Sequence, residues 1–138
     1  MKDITNALKL LSDPTRLRIL MVLGRKELCV CQIMGVLEVS QSLISKNLHL
    51  LYTGGFLDER KDGKLVYYSL KKDMSPAQAG LMDLLTSLLK GDTMYDTDLQ
   101  SLKDCEAFQK KAGRCDMKTF KEFMERKRKT TMKNKERS

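Results

Sequence analysis

Four cysteines carry the reactive chemistry of this chain: Cys29, Cys31, Cys105 and Cys115. Thiolates are soft ligands that select soft ions, and they are also the groups that oxidants attack. Nothing resembles a signal peptide and no apolar run approaches a membrane span, which implies a cytoplasmic setting where thiols stay reduced. There, four cysteines read as ion ligands or redox sensors rather than as a disulfide framework. The sequence holds no paired catalytic carboxylates, no Ser/His/Asp set and no Gly-rich phosphate loop. An enzyme is therefore not expected.

The elements that must position these thiols follow from periodicity. Ile4, Leu8 and Leu11 recur at helical spacing. Asp13 is a good N-cap and Pro14 suits the first position of a second helix, whose apolar face holds Leu17, Leu20 and Met21 and which stops at Gly24. Residues 27–37 read as a third helix with Ile33, Val36 and Leu37 buried. Ser40 is placed to cap a fourth, residues 41–52, stopped by Gly54-Gly55. Two short strands follow, residues 57–60 and 65–70, with Asp62-Gly63 as the hairpin turn. Met74-Ser75-Pro76 opens a broadly apolar helix carrying Leu81, Leu84, Leu85, Leu88 and Leu89. The fold class is mainly α with a small β-hairpin: a helix–turn–helix with a wing, followed by a C-terminal helical extension.

This divides the chain into residues 1–90, a DNA-binding and dimerisation domain, and residues 91–138, a cysteine-containing extension with a basic, disordered end. Leu99, Leu102, Ala107 and Phe108 imply one helix in the extension, and Phe120, Phe123 and Met124 another. Charge is distributed accordingly. Of the net +8, residues 1–90 carry +4, residues 91–116 carry −2 and residues 117–138 carry +6. A mildly basic core suits a specific binder with a local basic face. The run 126–129 reads as a solvated tail, able to add phosphate contacts that steepen the salt dependence of DNA binding.

On the fourth helix, Gln41, Ser42, Ser45, Lys46 and Asn47 are donors on the early turns. Amides can read adenine, and Ser and Lys serve phosphates or bases. Arg60, Lys61 and Lys64 on the wing would meet phosphate or the minor groove. His49 faces either DNA or the core. Tyr67 and Tyr68 pack the wing, and the nine methionines are scattered. The leucines of residues 77–90 need a partner that a core this small cannot supply, so a second protomer is expected.

In order and spacing, Leu11-Ser12-Asp13-Pro14-Thr15-Arg16-Leu17-Arg18-Ile19-Leu20, Glu27-Leu28-Cys29-Val30-Cys31, Ser40-Gln41-Ser42 with Ser45-Lys46, and the hairpin from Arg60 to Tyr68 resemble the ArsR/SmtB family of winged-helix transcriptional repressors, in its arsenic-responsive form. The resemblance covers roughly residues 5–90. It implies a homodimer held by the first and last core helices, with Ser40 joining the DNA contacts, that binds double-stranded operator DNA and releases it when an inducer binds. In arsenite-sensing members the Cys29–Cys31 segment provides two of three thiolates, and a third cysteine follows three residues later. Here that position is Met34, and no cysteine precedes Cys29 as in the cadmium/lead sensors. The His and acid pairs of the zinc and nickel sensors are lacking from residues 77–90, where Asp83 is the one acid.

Cys105 or Cys115 is then the expected third ligand for As(III) or Sb(III). With both, the site would suit Cd(II), Pb(II) or Zn(II). A thiol redox or persulfide sensor is the other alternative. Two residues apart on the third helix, Cys29 and Cys31 point about 200° away from each other. Shared ligation would then require the first turn to unwind.

Overall fold

Residues 1–112 and 121–129 are described by the structure, a computed structural model. Helix α1, Lys2–Leu11, ends at Ser12, and α2, Pro14–Leu23, restarts at once. Asp13 caps α2 by accepting the Arg16 backbone N–H at 3.0 Å, with Pro14 at a position where its missing N–H costs nothing. Every residue from Ile19 to Leu23 is buried, so α2 is the central helix rather than a one-faced one.

The third element departs from expectation. Leu28–Cys29 form a short strand, β1, and helix α3 begins only at Val30 and ends at Leu37. Cys29 is the N-cap of α3, with extended backbone (φ −89°, ψ 170°). Helix α4, Gln41–Thr53, follows after three residues. Strands β2, Leu57–Asp62, and β3, Leu65–Leu70, form the wing. The sheet is antiparallel in the order β1-β3-β2, with Leu28 opposite Tyr68 and Cys29 opposite Tyr67. Asp62 pairs with Leu65, so the turn is Gly63-Lys64, one residue later than expected. Only Gly63 of the two has positive φ (61°), as a type II′ turn requires at its first central position.

Helices α5, Pro76–Leu88, and α6, Thr93–Ala112, complete the described chain with a last helical stretch, residues 121–129. The core gathers Ile19, Leu20 and Val22 of α2, Ile33 and Val36 of α3, Ile44, Leu48 and Leu51 of α4, and Phe56 and Leu57 entering the wing. Tyr95, Leu102 and Cys105 of α6 join it, and Phe123 packs on Phe108 with ring centroids 5.6 Å apart. Residues 126–129, expected as solvated tail, are helical: Arg126, Arg128 and Lys129 are exposed as expected, and Lys127 is half-buried. Burying Phe123 orders this stretch, while residues 130–138 lie outside the described residues.

Candidate DNA-binding face and thiol site

Helix α4 is amphipathic in its side-chain roles. Ser40 caps it, its hydroxyl accepting the Leu43 N–H at 3.4 Å. Ile44, Asn47, Leu48 and Leu51 point inward. Gln41, Ser42, Ser45, Lys46 and His49 are all exposed and, three or four residues apart, share one outer face. His49 is the addition to the expected set.

Asn47 is the correction. It is 3% exposed, donates its amide to the Leu43 carbonyl at 2.9 Å and accepts from the Arg16 guanidinium at 3.2 Å. Its amide is used to join α4 to α2 and is turned away from the outer face. The helical period put it there, one residue beyond Lys46.

On the wing, Lys61 and Lys64 are exposed near the tip. Arg60 stands further in, clasping Glu27 at 2.7 Å with its guanidinium 4.7 Å over the Tyr67 ring. The Arg60 hydrogen bond holds the Glu27 carboxyl below its usual range, and the same bond raises Arg60 further. Both groups are open to solvent, so this pair orients the wing and adds little stability.

The thiols lie at the other end of α3. Cys29 is 1% exposed, and its N–H donates to Gln32 Oε1 at 2.9 Å in a capping-box arrangement. Cys31 is half-buried on the first turn of α3. Gln32 also donates to Gln109 Oε1 of α6. Cys105 lies one turn before Gln109 and is 5% exposed. Burial pushes its thiol up to about 11. Lys26 opposes the shift, Cys29 adds to it, and Lys127 opposes it.

The fold therefore brings Cys105 into the neighbourhood of Cys29. Among the described residues, no three His, Cys, Asp or Glu side chains cluster closely enough to hold a metal ion, and Cys115 lies outside those residues. The expected unwinding of a shared first turn does not apply. Cys29 already stands outside the helix, held instead by its pairing with Tyr67. A two-residue strand has no periodicity to announce it, because only its partner defines it.

Since thiolate is the nucleophile, burial that raises the Cys105 thiol leaves little of it in the reactive form at pH 8. We expect iodoacetamide at that pH to modify Cys31 well before Cys105 in the folded chain, as peptide mass mapping over time would read. Equal rates would contradict this burial.

Sequence reading also missed Asp98 and Ser101. Asp98, Ser101, Leu102, Cys105 and Gln109 recur at helical spacing, and all but the half-buried Gln109 are buried. A polar residue repeating in step with Leu102 was the available signal.

Residues 13–59 match the family described as "Bacterial regulatory protein, arsR family". A cadmium resistance transcriptional regulatory protein homolog from Staphylococcus aureus is 46% identical over 69 residues, 49% of this chain and 57% of its own length. The arsenical resistance operon repressor of Escherichia coli K12 is 42% identical over 76 residues, 54% of this chain and 65% of its own. The matched stretch thus spans less than two thirds of either relative. Among solved structures, the homodimeric winged helix-turn-helix DNA-binding domain of Mb0332 from Mycobacterium bovis, a possible ArsR-family transcriptional regulator, superposes with a TM-score of 0.56 at 26% identity. That match covers 64% of this chain and 80% of the other. With its motifs, its winged helix and these relatives in agreement, the chain belongs to the ArsR family of bacterial regulatory proteins.

Proposed function

We propose that this chain is a DNA-binding transcriptional repressor that releases its operator when trivalent arsenic or antimony binds cysteine thiolates. One observation carries the reading. Helix α3 has Cys29 and Cys31 at its start, and its end leads in three residues to α4, whose outer face presents Gln41, Ser42, Ser45, Lys46 and His49. Ser40 at the cap and Arg60, Lys61 and Lys64 on the wing extend that face toward phosphate. The donor set suits a soft ion, which would supply bonds drawing Cys29, Cys31 and Cys105 or Cys115 together. Cys105 must lose a proton held well above the usual thiol range to take part. Among the described residues Cys29, Cys31 and Cys105 do not gather closely enough to share an ion, so ligation would shift the start of α3 or the α6 face against it. A shift in α3 misplaces α4.

The similarity to a cadmium resistance regulator supports cadmium as the alternative, and a site with both Cys105 and Cys115 as ligands would suit lead or zinc as well. A fluorescence-anisotropy titration on the chain's own upstream DNA, in reductant, separates these. Release by arsenite or antimonite at low concentration supports the leading reading, and release only by the divalent ions supports the other. Release only after reductant is withdrawn would mean a redox sensor instead.

A dimer is part of this proposal. Ile4 and Leu8 of α1 are 49% and 53% exposed, and Leu84 and Leu88 of α5 are 55% and 69% exposed. The residues of each pair are one turn apart, and Ile4 and Ala7 of α1 line one groove with Ala77 and Leu81 of α5. A two-fold axis through that surface would cover it and set two α4 helices about one DNA turn apart. We expect Leu88→Glu to give a folded monomer by sedimentation, with operator affinity reduced at least about tenfold by loss of the second half-site. A dimer unchanged at micromolar concentration would remove α5 from the interface.

A further inference from the structure

The far end of α3 is finished by side chains from outside the helix–turn–helix. A helix leaves its last carbonyls without intrahelical partners. Here the Met34 carbonyl accepts from the Glu38 N–H at 2.8 Å. The next three are met by three different side chains. Lys127 donates to the Gly35 carbonyl at 2.8 Å, the Ser101 hydroxyl to Val36 at 2.7 Å, and the Arg18 guanidinium to Leu37 at 2.9 Å. Lys127 also donates to Ser101 at 2.6 Å. Asp98, 2% exposed, grips Arg18 through two bonds of 2.9 Å. Two cations thus stand at the negative end of the helix dipole.

The next residue, Glu38, is the one non-glycine with positive φ among the described residues (57°), and it begins the turn into α4. A strained turn persists only where its surroundings hold it. We propose that Asp98, Ser101 and Lys127 are positioning residues for α4. They form a cap built by the C-terminal extension that holds the α3–α4 turn in its DNA-binding geometry. Cys105 lies on α6 between Ser101 and Gln109, and these two bind opposite ends of α3. Movement of Cys105 therefore pulls on both ends of the helix that carries α4. This coupling rests on the repressor reading above; the cap itself does not.

The test uses the full chain with Lys127→Met and Ser101→Ala, which remove donors with little change of bulk, and Asp98→Asn as a third variant. Hydrogen exchange followed by mass spectrometry reads the turn without DNA. Protection over residues 36–43 should fall about tenfold while that over 19–23 in α2 stays within about twofold. Operator affinity of the ion-free chain should fall, by less than protection does because only the opened fraction is lost to binding, and arsenite affinity should not fall. The ratio of operator affinities without and with arsenite should shrink, which a general loss of stability would not produce. Unchanged protection over 36–43 in folded Lys127→Met and Ser101→Ala overturns the proposal, as does loss spread evenly through the core. Failure of the unmodified chain to bind its upstream DNA would instead remove the repressor reading, and exchange would still decide the cap.

Discussion

Serine at both positions 29 and 31 should leave operator binding within about threefold of the unmodified chain and raise the arsenite needed for release more than about 100-fold. The two effects separate because of where Cys29 sits. It is the N-cap of α3, and serine is among the residues best suited to that position. Its side chain can take the same backbone N–H of Gln32, and Gln32 Oε1 still accepts the residue-29 N–H. The fold should therefore hold to within about 1 kcal/mol despite Cys29 being 1% exposed. What disappears is the thiolate, for which a hydroxyl is no substitute toward a soft ion. Anisotropy with and without arsenite, beside a thermal melt, measures both. A variant that still releases DNA at the original arsenite concentration would take Cys29 and Cys31 out of the site.

Lys46→Glu should produce the opposite phenotype: a stable fold that has lost its operator. Lys46 is exposed on the outer face of α4. Reversal removes one phosphate or base contact per protomer and puts an anion against the DNA, so a dimer should lose more than about 100-fold in affinity. An exposed change of this kind should move stability by no more than about 0.5 kcal/mol. Asn47→Ala is the control one residue away. It breaks the bonds to Arg16 and to the Leu43 carbonyl inside the fold, so it should cost about 1–3 kcal/mol of stability by denaturant melt. Its operator affinity should follow the folded fraction alone. Should Lys46→Glu bind as tightly as the unmodified chain, the outer face of α4 would not be the DNA contact.

The contrast between these neighbours shows how far helical period reaches. Ser40 as cap, the span of α4 and the wing strands were legible because capping chemistry, 3.6-residue spacing and a glycine turn between two short runs are local properties. That Asn47 turns inward was legible in principle from its step with Ile44 and Leu48. Its amide chemistry suggested a base reader until Arg16 was seen to claim it.

The cysteines were legible as the reactive side chains, and where the fold places Cys29 and Cys105 was not. The sequence by itself determined that two thiols stand just ahead of helix α4, that α5 carries a run of leucines, and that residues 93–112 are largely helical. The tertiary structure alone decided that Cys29 is a strand residue, that Cys105 lies near it, and that Ser101 and Lys127 finish α3 from 65 and 92 residues away while Asp98 holds the Arg18 that finishes it too. Local patterns are written into adjacent residues, so they survive reading one stretch at a time. Pairing partners, buried thiols and borrowed caps exist only once distant segments meet, because each is defined by the group across from it and not by its own neighbours in the chain.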